Sequence, residues 1–508
     1  MQKNVLEYLE KSAERFPDKK VFADEEHEIT YRDFRNTARA VASSLSCTYK
    51  IGRKNPVVVL IERDVDSLIG FFGVVYSGNF YVPVDCKMPA KRIELIFQTL
   101  HPSAVIATEK TKKVLDKMEF DGLVLDLECL KKAEIQEEAL EKIFQLEIDT
   151  NPLYAIFTSG STGVPKGVLV CHRSVIDLIE HFQETFGLDE NIVLGNQAPF
   201  DFDVSVKDIY STLKNGGSMH VLPKVMFSMP GRLIDGLNRH KINTAIWAAS
   251  VLRIVENLNV FSQMMPQYLK TVMFSGEVMS NKVLNYWRKY LPDVTYINLY
   301  GPTEITCNCT YYKVERSFED QEVLPIGTAF ENTEILLLDE ERRQEVPLGE
   351  TGEICVRGTC LALGYYNEQE RTREAFIQNP LNKAWPELIY CTGDLGRYGE
   401  DGNLIFVSRK DDQIKHMGHR IELGEVETAI NALEFVEAAC CIYDEREEKI
   451  VLFYQAAEEC DKKLLRSLNQ ALPKYMFPNR MEWMEQLPLN KNGKIDRVRL
   501  RECHINGM

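Results

Sequence analysis

The sequence has no hydrophobic run long enough to cross a membrane. Its longest apolar stretch, Leu68 to Tyr76, includes two glycines and falls far short of the ~20 residues that a membrane-spanning helix needs. Apolar side chains recur at helical spacing between charged residues from Val5 to Phe16, which predicts an amphipathic surface helix and not the apolar core of a signal peptide. We therefore expect a cytoplasmic protein with no membrane insertion.

Positive charge is also in short supply. The chain has 60 Lys and Arg residues against 76 Asp and Glu residues, which gives a formal net charge of -16 at pH 7. Proteins that bind nucleic acid or anionic membranes use clustered Lys and Arg to contact phosphates, so we expect neither kind of partner. A hydrophobic content of 44% and a charged content of 27% are ordinary for a globular protein and argue against disorder.

Paired cysteines of the C-x-x-C type are missing, although the chain has 13 cysteines. The cysteines are scattered, and the close pairs Cys307/Cys309 and Cys440/Cys441 lack the spacing of a zinc site. A structural zinc ion needs four ligands grouped in space, usually from short paired spacings. We therefore expect buried free thiols in a reducing compartment.

Helices and strands alternate along most of the chain. Asn55 to Ile61 is an apolar run typical of a buried strand, and we expect a helix to follow it as far as Tyr76. Ser103 to Ala107 and Leu123 to Leu125 predict further short buried strands. This alternation indicates parallel sheets covered by helices. We predict an α/β fold in which residues 1–410 form a large N-terminal domain of several lobes, with mixed or parallel sheets covered by helices.

The last hundred residues change character and predict a small, mobile C-terminal α+β domain over residues 411–508. Its size is close to the minimum for independent folding. The boundary is expected near Asp411. The predicted elements are a hairpin of Gly402–Val407 with Asp412–His416, a helix over Leu423–Leu433, strands over Ala438–Tyr443 and Ile450–Tyr454, and a helix over Lys462–Leu472.

A loop rich in glycine and hydroxyl residues predicts a phosphate site. An apolar strand, Tyr154 to Phe157, leads into Thr158–Gly167, and a second apolar strand, Val168 to Val170, follows. Small residues let backbone N–H groups and hydroxyls converge on phosphate oxygens, and Lys166 adds positive charge. The loop is not a Walker motif, because Gly167 follows the lysine where Ser or Thr would be required. A flexible surface turn is the alternative interpretation.

The segment Phe157–Gly167 resembles the signature of the adenylate-forming superfamily, which includes acyl-CoA synthetases, luciferases and adenylation domains of nonribosomal peptide synthetases. The resemblance continues in order over more than 400 residues. Its further motifs are Gly78–Asp85, Tyr300–Glu304, Gly352–Gly358, Gly364–Tyr365, Thr392–Asp394, Arg409–Glu422, Leu472–Pro478 and Asn492–Asp496. Within the superfamily, Asn196–Val206 and Met273–Val278 are similar to the D-alanine–D-alanyl carrier protein ligases.

The resemblance implies ATP and Mg²⁺ as cofactors and an attack of a carboxylate on the α-phosphorus of ATP. Such a site needs positioning and charge neutralisation more than covalent catalysis. The implied roles are phosphate binding by Thr158, Ser159, Thr162 and Lys166, magnesium binding by Glu304, α-phosphate contact by Thr303, adenine packing by Tyr300, and ribose binding by Asp394 with Arg409.

The resemblance also assigns catalysis to Lys494, which would bridge the substrate carboxylate and the α-phosphate. From its polar surroundings alone, an exposed turn would be the simpler interpretation of this lysine. Asp411 matches a hinge position, about which the small domain is expected to rotate after adenylation. The loop from Lys415 to Arg420 would then line the channel for the acceptor thiol.

The substrate implied by the resemblance is an amino acid, because Asp203 matches the aspartate that pairs with the substrate ammonium. A fatty or aryl acid would leave that carboxylate without a partner. Bulky lining residues favour a small side chain such as that of alanine or serine, with D-alanine as the best match. The D-alanine ligases usually have a cysteine at the position of Ser275, and this difference bears on the preferred enantiomer. Lys207 favours an acidic or polar substrate side chain if its ammonium group points inward, but not if it reaches solvent. The predicted pocket consists of Val204, Lys207, Trp247, Met273, Ser275, Leu299, Cys307 and Asn308.

The partner implied for the second half-reaction is a separate carrier protein with a phosphopantetheine arm. The chain continues for twelve residues after Asp496 without a Gly-Gly-x-Ser attachment site, and it has no His-His-x-x-x-Asp condensation motif. Three alternatives remain open from the sequence. The first is an acid–CoA ligase of the same fold, and the second is an enzyme that adenylates another small or polar amino acid for a nonribosomal peptide. The third is an inactive binding protein that keeps the fold.

Overall fold

The computed structural model describes residues 2–118, 120–160, 163–410, 413–488 and 495–506. The strands in these ranges are β1 Lys20–Ala23, β2 Glu28–Thr30, β3 Pro56–Ile61, β4 Phe80–Asp85, β5 Ala104–Ala107, β6 Val124–Asp126, β7 Pro152–Thr158, β8 Lys166–Cys171, β9 Val193–Asn196, β10 Ser218–Val221, β11 Thr244–Ala248, β12 Thr271–Ser275, β13 Thr295–Tyr300, β14 Thr310–Lys313, β15 Thr328–Ala329, β16 Thr333–Leu338, β17 Gly352–Gly358, β18 Gly364–Tyr365, β19 Phe376–Gln378, β20 Leu388–Tyr398, β21 Leu404–Arg409, β22 Gln413–His416, β23 His419–Glu422, β24 Ala438–Asp444, β25 Lys449–Gln455 and β26 Arg480–Met484.

Helices cover the sheets and join many of the strands. They are α1 Leu6–Arg15, α2 Tyr31–Ser43, α3 Val65–Tyr76, α4 Ala90–Leu100, α5 Leu127–Leu130, α6 Glu137–Gln145, α7 His172–Phe186, α8 Val204–Asn215, α9 Lys224–Phe227, α10 Pro230–Arg239, α11 Ala249–Asn257, α12 Asn281–Tyr290, α13 Gln369–Ala375, α14 Leu423–Asn431, α15 Asp461–Ala471 and α16 Arg497–Asn506. None of these helices has the length and apolar composition of a membrane span.

Two mixed sheets and one antiparallel sheet make up the large N-terminal part. A nine-stranded sheet has the order β15-β14-β13-β12-β11-β9-β10-β1-β2, and a seven-stranded sheet has the order β18-β8-β7-β4-β3-β5-β6. Their central strands are parallel, and the antiparallel pairs lie toward the edges. A third sheet of five strands is formed by β16, β17, β19, β20 and β21. The predicted α/β class with several lobes is confirmed.

The strand β3 illustrates why the central strands form. Its sequence Pro-Val-Val-Val-Leu-Ile is apolar at every position, and all six residues are buried. A strand covered by helices on both faces has this composition, because no side of it meets water. The helix α3 that follows is buried almost throughout for the same reason.

The amino-terminal helix α1 is amphipathic, as its spacing predicts, and it packs against α8. Ser12 Oγ donates a hydrogen bond of 2.6 Å to the carbonyl of Leu213, near the end of α8. Tyr8 donates its hydroxyl to Glu180 on α7 at 2.9 Å. The helix α1 therefore supports the two helices that lie behind the predicted substrate residues.

The small C-terminal part has a hydrophobic core of its own. Buried side chains from α14, β24, β25 and α15 pack together, among them Val426, Leu452 and Leu464. The three-stranded sheet β24-β25-β26 carries this core, and a two-stranded sheet, β22-β23, extends toward the large part. The predicted small α+β unit is confirmed. Asp411, at the predicted boundary, lies outside the described residues.

The predicted hairpin of 402–407 with 412–416 is wrong. The strand β21 pairs with β20 and so completes the five-stranded sheet, while β22 pairs with β23. The turn between β22 and β23 consists of Met417 and Gly418, whose φ angles of 53° and 80° are both positive. Two residues with positive φ form the tight turn that suits a β-hairpin. A methionine at such a position gives no turn signal, which is why the sequence did not reveal this pairing.

Candidate active site

The phosphate loop leaves β7 and returns in β8, and these strands pair so that Thr158 lies opposite Lys166. Ser159 Oγ donates 2.7 Å to the carbonyl of Arg420, a residue of the small domain. Thr158 Oγ1 is buried without a hydrogen-bond partner among the described residues. A buried hydroxyl in that position is available to a phosphate oxygen. Thr162, the fourth predicted member of the loop, lies outside the described residues.

Glu304 is at the centre of a buried cluster of charges. It is fully buried, in a short helical turn directly after β13. Its Oε1 accepts hydrogen bonds from Lys166 at 3.1 Å and from the Tyr365 hydroxyl at 2.8 Å. Its Oε2 accepts from Arg420 at 2.6 Å. The sequence predicted the lysine and the glutamate, and the structure brings them together.

The charges in this cluster shift one another's pKa values. Burial alone would raise the pKa of Glu304, but the positive charges of Arg420 and Lys166 hold it well below its usual value. Burial lowers the pKa of Lys166 in spite of the nearby Glu304 carboxylate. Glu304 is therefore charged at neutral pH, as a ligand for a hard cation must be.

The residues fit the Mg²⁺ and ATP that the resemblance implies. Glu304 offers a carboxylate oxygen, which is the ligand type that Mg²⁺ takes together with phosphate and water. Thr158 Oγ1 and Lys166 offer hydrogen-bonding groups for the phosphates. In the present arrangement Arg420 donates to Oε2 of Glu304, so a metal ion at that oxygen would compete with Arg420.

The predicted nucleotide residues also lie together. Tyr300, at the end of β13, donates its hydroxyl to Oδ2 of Asp394 on β20. Arg409, at the end of β21, forms an ion pair with Oδ1 of the same carboxylate. Burial, followed by the charge of Asp394, raises the pKa of Tyr300 well above its usual value. Lys415 of the small domain lies 5.4 Å from the centroid of the Tyr300 ring, on the surface that the resemblance assigns to adenine.

Asp203 lies at the start of α8, near the charge cluster. Burial raises its pKa, and the neighbouring Thr303 and the positive charge of Lys207 act in the opposite direction. Thr303 belongs to the same helical turn as Glu304. The predicted ammonium site and the predicted α-phosphate contact are therefore neighbours.

Lys207 points into the protein. Its side chain is 0% exposed, and its Nζ donates a hydrogen bond to Oδ1 of Asn308. Two residues before Asn308 the backbone takes an uncommon course, because Thr306 and Cys307 have φ angles of 57° and 81°. Positive φ is unfavourable for a β-branched residue such as threonine, and strain of this kind is concentrated at functional sites. Thr306 Oγ1 holds the bend by donating 2.7 Å to the carbonyl of Cys360.

Most of the predicted pocket lies on one face of the nine-stranded sheet. Met273, Leu299 and Cys307 belong to the same hydrophobic cluster, and Val204 packs against it from α8. Ser275 is buried at the end of β12, next along the strand on the Met273 face.

Trp247 is the exception, because its side chain lies on the other face of the sheet. It pairs in register with Phe274, whereas Ile246 pairs with Met273. Its ring packs edge-on against Phe227 in a second cluster, and its Nε1 donates 2.7 Å to the carbonyl of Gly195. Since side chains alternate along a strand, Ile246 occupies the position expected of Trp247. The two residues are both apolar, so the sequence pattern could not distinguish their faces.

Sequence reasoning also missed two partners of Glu304. Tyr365 was noted only as a motif member and Arg420 only as part of the loop expected to line the thiol channel, yet both donate to the Glu304 carboxylate. Arg420 is 116 residues away from Glu304 in the chain and belongs to the small domain. Its place in a motif could have suggested a role, but not the contact itself.

The small domain contacts the site through the β22–β23 hairpin. The backbone N–H of Gly418 donates 2.8 Å to Oε1 of Glu277, and the His419 ring meets the edge of Phe202. Behind the hairpin, Arg92 of α4 forms a buried ion pair with Glu425 of α14. Lys494, the predicted catalytic residue, and Asp411, the predicted hinge, lie outside the described residues.

No disulfide joins any of the 13 cysteines, all of which lie in the described residues, and eight of them are buried. Two of them, Cys355 and Cys391, lie with Glu353 so that three potential ligand atoms are within 4.8 Å of one another. The Glu353 carboxylate is already paired with Arg342, at 2.7 Å and 2.8 Å, and with Lys410. These cations occupy the group that a metal ion would require.

Comparisons with known proteins agree with this geometry. A family profile described as AMP-binding enzyme matches residues 9–366, and one described as AMP-binding enzyme C-terminal domain matches residues 425–494. The chain is 32% identical to the D-alanine–D-alanyl carrier protein ligase of Bacillus cereus (strain G9842), with 98% of each chain covered. It is also 32% identical to a part of bacitracin synthase 1 from Bacillus licheniformis, and that match covers 98% of this chain but 9% of that protein.

The chain thus spans a small fraction of some curated relatives and nearly the whole of others. Among solved structures, it resembles the Vibrio cholerae adenylation domain AlmE in complex with glycyl-adenosine-5'-phosphate. The TM-score is 0.85 at 21% identity, with 99% of this chain and 98% of that chain covered. At this identity the likeness concerns the fold.

Proposed function

Because the chain belongs to the AMP-binding enzyme family, we propose that it activates the carboxylate of an amino acid with ATP and transfers the aminoacyl group to the phosphopantetheine thiol of a separate carrier protein. In the first half-reaction a carboxylate oxygen bonds to the α-phosphorus and pyrophosphate leaves. In the second, the carrier sulfur bonds to the acyl carbon, AMP leaves, and the thiol proton is released to solvent. The family assignment makes the protein a ligase.

Asp203 is the observation that carries the choice of an amino acid. Its carboxylate lies near Thr303 and Glu304 at the start of α8, and burial raises its pKa. A substrate ammonium would form an ion pair with it and offset the cost of burial. A fatty or aryl acid has no such cation, so it would leave the carboxylate without a charged partner.

The charge cluster supports the adenylation step. Two anions, the substrate carboxylate and the triphosphate, must approach each other, and fixed positive charge lowers the energy of that approach. Lys166 supplies such charge within a buried environment of the large domain. Mg²⁺, when bound, would add charge neutralisation at Glu304.

The roles of the remaining predicted residues stay proposals. Lys494 bridges the substrate carboxylate and the α-phosphate, Thr162 contributes to phosphate binding, and Asp411 serves as the hinge. The small domain is proposed to turn between adenylation, which uses Lys494, and thiol transfer, which uses the β22–β23 hairpin. The present arrangement, with Gly418 against Glu277, is the one that suits thiol transfer.

D-Alanine is the amino acid suggested by the relatives that carry this name, at 32% identity. The apolar wall of Met273 and Leu299 is compatible with a methyl side chain. Lys207 favours a different side chain, since its ammonium group is directed inward. These two observations disagree, so D-alanine is one member of the substrate panel in the experiments below.

The test is ATP–pyrophosphate exchange with purified protein, Mg²⁺ and a panel of D- and L-amino acids. The change Asp203→Asn should reduce exchange at least about 100-fold, because the substrate ammonium loses its ion pair. Asp201→Asn, two residues earlier, is the matched control and should change exchange by less than a few-fold. Activity with simple carboxylic acids and coenzyme A, with no exchange for any amino acid, would refute the proposal in favour of an acid–CoA ligase.

A further inference from the structure

Helix α8 carries two opposite charges toward the pocket. Asp203 immediately precedes the helix, and Lys207 follows one turn later. Side chains four residues apart on a helix are neighbours, with about 5–6 Å between their Cβ atoms. The proposed ammonium site and the Lys207 ammonium group are therefore within reach of one small ligand.

Lys207 is a buried cation with few partners of its own. Its side chain is 0% exposed, and its hydrogen-bond acceptor is Oδ1 of Asn308. No carboxylate lies within ion-pair distance of its Nζ in the part of the chain that the structure describes. The ring of Phe182 lies 6.0 Å from the Nζ, which is at the limit of a cation–π contact. A buried ammonium has three donors to satisfy, and one neutral amide oxygen does not balance its charge.

The nearby acidic groups act on Lys207 only through space. Asp203 is one of them, and under the proposed function it serves the substrate ammonium. The other is Asp208, the next residue of α8, whose Oδ2 accepts a hydrogen bond of 2.7 Å from Asn196 and whose Oδ1 is buried without a hydrogen-bond partner among the described residues. Neither carboxylate forms a direct ion pair with the Lys207 ammonium group, so that contact is open to a ligand carboxylate.

We propose that Lys207 binds the side-chain carboxylate of the substrate, so that the amino acid activated is an acidic one of the aspartate or glutamate type. This inference rests on the proposed function. One such molecule would place its α-ammonium at Asp203 and its side-chain carboxylate at Lys207, while its α-carboxylate remains free for the attack on ATP. Asn308 holds the lysine in position for this contact.

The lining of the pocket agrees with this substrate class. Met273 and Leu299 offer an apolar surface to the methylene groups, while Ser275 is a buried hydroxyl near the end of the same strand as Met273. A methyl side chain, as in D-alanine, would leave the Lys207 ammonium buried without an anion. The two substrates therefore make opposite demands on this lysine.

The first experiment uses the wild-type protein alone. ATP–pyrophosphate exchange is measured with both enantiomers of aspartate, glutamate, asparagine, glutamine, alanine and leucine. We expect exchange with aspartate or glutamate to exceed that with the corresponding amide and with alanine by about 100-fold or more in kcat/KM, because a site built for a charged partner rejects analogues that leave it unpaired. Preference for alanine, for an amide or for leucine would overturn the inference while leaving the proposed function intact. Absence of exchange with every amino acid would overturn both.

The second experiment changes the lysine. Lys207→Met keeps the length of the side chain and removes its charge, so exchange with the acidic substrate should fall about 100-fold, and exchange with a neutral amino acid such as leucine or methionine should rise. Lys214→Met is the matched control, because Lys214 lies on the same helix but pairs with Glu180 at the surface of the bundle. It should leave the order of substrates unchanged.

Retention of the preference for acidic substrates by the Lys207→Met variant would overturn the inference. Melting temperatures of the two variants show whether each is folded. If that variant did not fold, the substrate panel of the wild-type protein would still decide between acidic and neutral side chains.

Discussion

The docking of the small domain in this arrangement should depend on one buried ion pair. Arg92 on α4 and Glu425 on α14 are 4% and 2% exposed, and they join the two parts of the protein. Arg92 Nε and Glu425 Oε2 have no further hydrogen-bond partners among the described residues. Burial raises the pKa of Glu425, and the charge of Arg92 counteracts that effect. Each group therefore relies on the other to remain buried.

The change Arg92→Met would leave Glu425 without its counter-charge. Removing one partner of a buried ion pair costs about 3–5 kcal/mol, which is roughly two to three and a half orders of magnitude in the docking equilibrium. Interfaces between domains resemble those of transient complexes, so a loss of this size should release the small domain. Arg253 and Glu448 form a second ion pair between the two parts, but both are partly exposed, so breaking it should cost only about 0–1 kcal/mol.

Small-angle X-ray scattering measures the outcome directly. A compact body of this chain length has a radius of gyration of roughly 23 Å, and the Arg92→Met protein should exceed the wild-type value. Glu448→Gln is the matched control and should scatter like the wild type. The double change Arg92→Met with Glu425→Met should return toward the wild-type value, because two apolar side chains can replace a buried ion pair at little cost. Scattering of Arg92→Met that matches the wild type would refute this account of docking.

Three further outcomes are expected. Asp394→Asn should raise the KM for ATP about 10–100-fold in pyrophosphate exchange, while the KM for the amino acid changes little, because the charged ribose acceptor is lost. Arg420→Met should lower the Mg²⁺ concentration for half-maximal exchange, since Oε2 of Glu304 loses the donor that competes with the metal; an unchanged Mg²⁺ dependence would contradict the proposed competition. Burial lowers the pKa of His172 to about 3 in the folded protein, whereas a histidine in the unfolded chain has a pKa of about 6.5. Between these two values only the unfolded state takes up the proton, so the free energy of unfolding falls as the pH drops from about 6.5 toward 3. Melting temperatures of the wild type should therefore fall more between pH 7 and pH 5 than those of His172→Gln, and parallel curves would rule this out.

The sequence predicted the elements whose pattern is local. The strand at 56–61 is apolar throughout, and the phosphate loop is bounded by two apolar strands, so both could be recognised without knowledge of the rest. Lys166 and Glu304 could be matched through motifs, and the structure brings them within 3.1 Å.

The parts that escaped prediction depend on contacts between distant residues. Whether Lys207 points inward is decided by Asn308, which is 101 residues away. The register of β11 with β12 decides whether Ile246 or Trp247 faces the pocket. The partner of Arg420 is decided by the docking of one domain on another. Spacing within a single segment contains no information on any of these.

The contact of the amino-terminal helix with α8 bears on how the protein can be shortened or fused. The apolar face of α1, which includes Leu6, Leu9 and Ala13, is buried, and Ser12 is bonded to the end of the helix that carries Lys207. A deletion that removes this helix would expose the back of α8 to water and loosen its far end. We therefore expect truncation at the N-terminus to alter substrate preference as well as solubility, although the removed residues never meet the substrate.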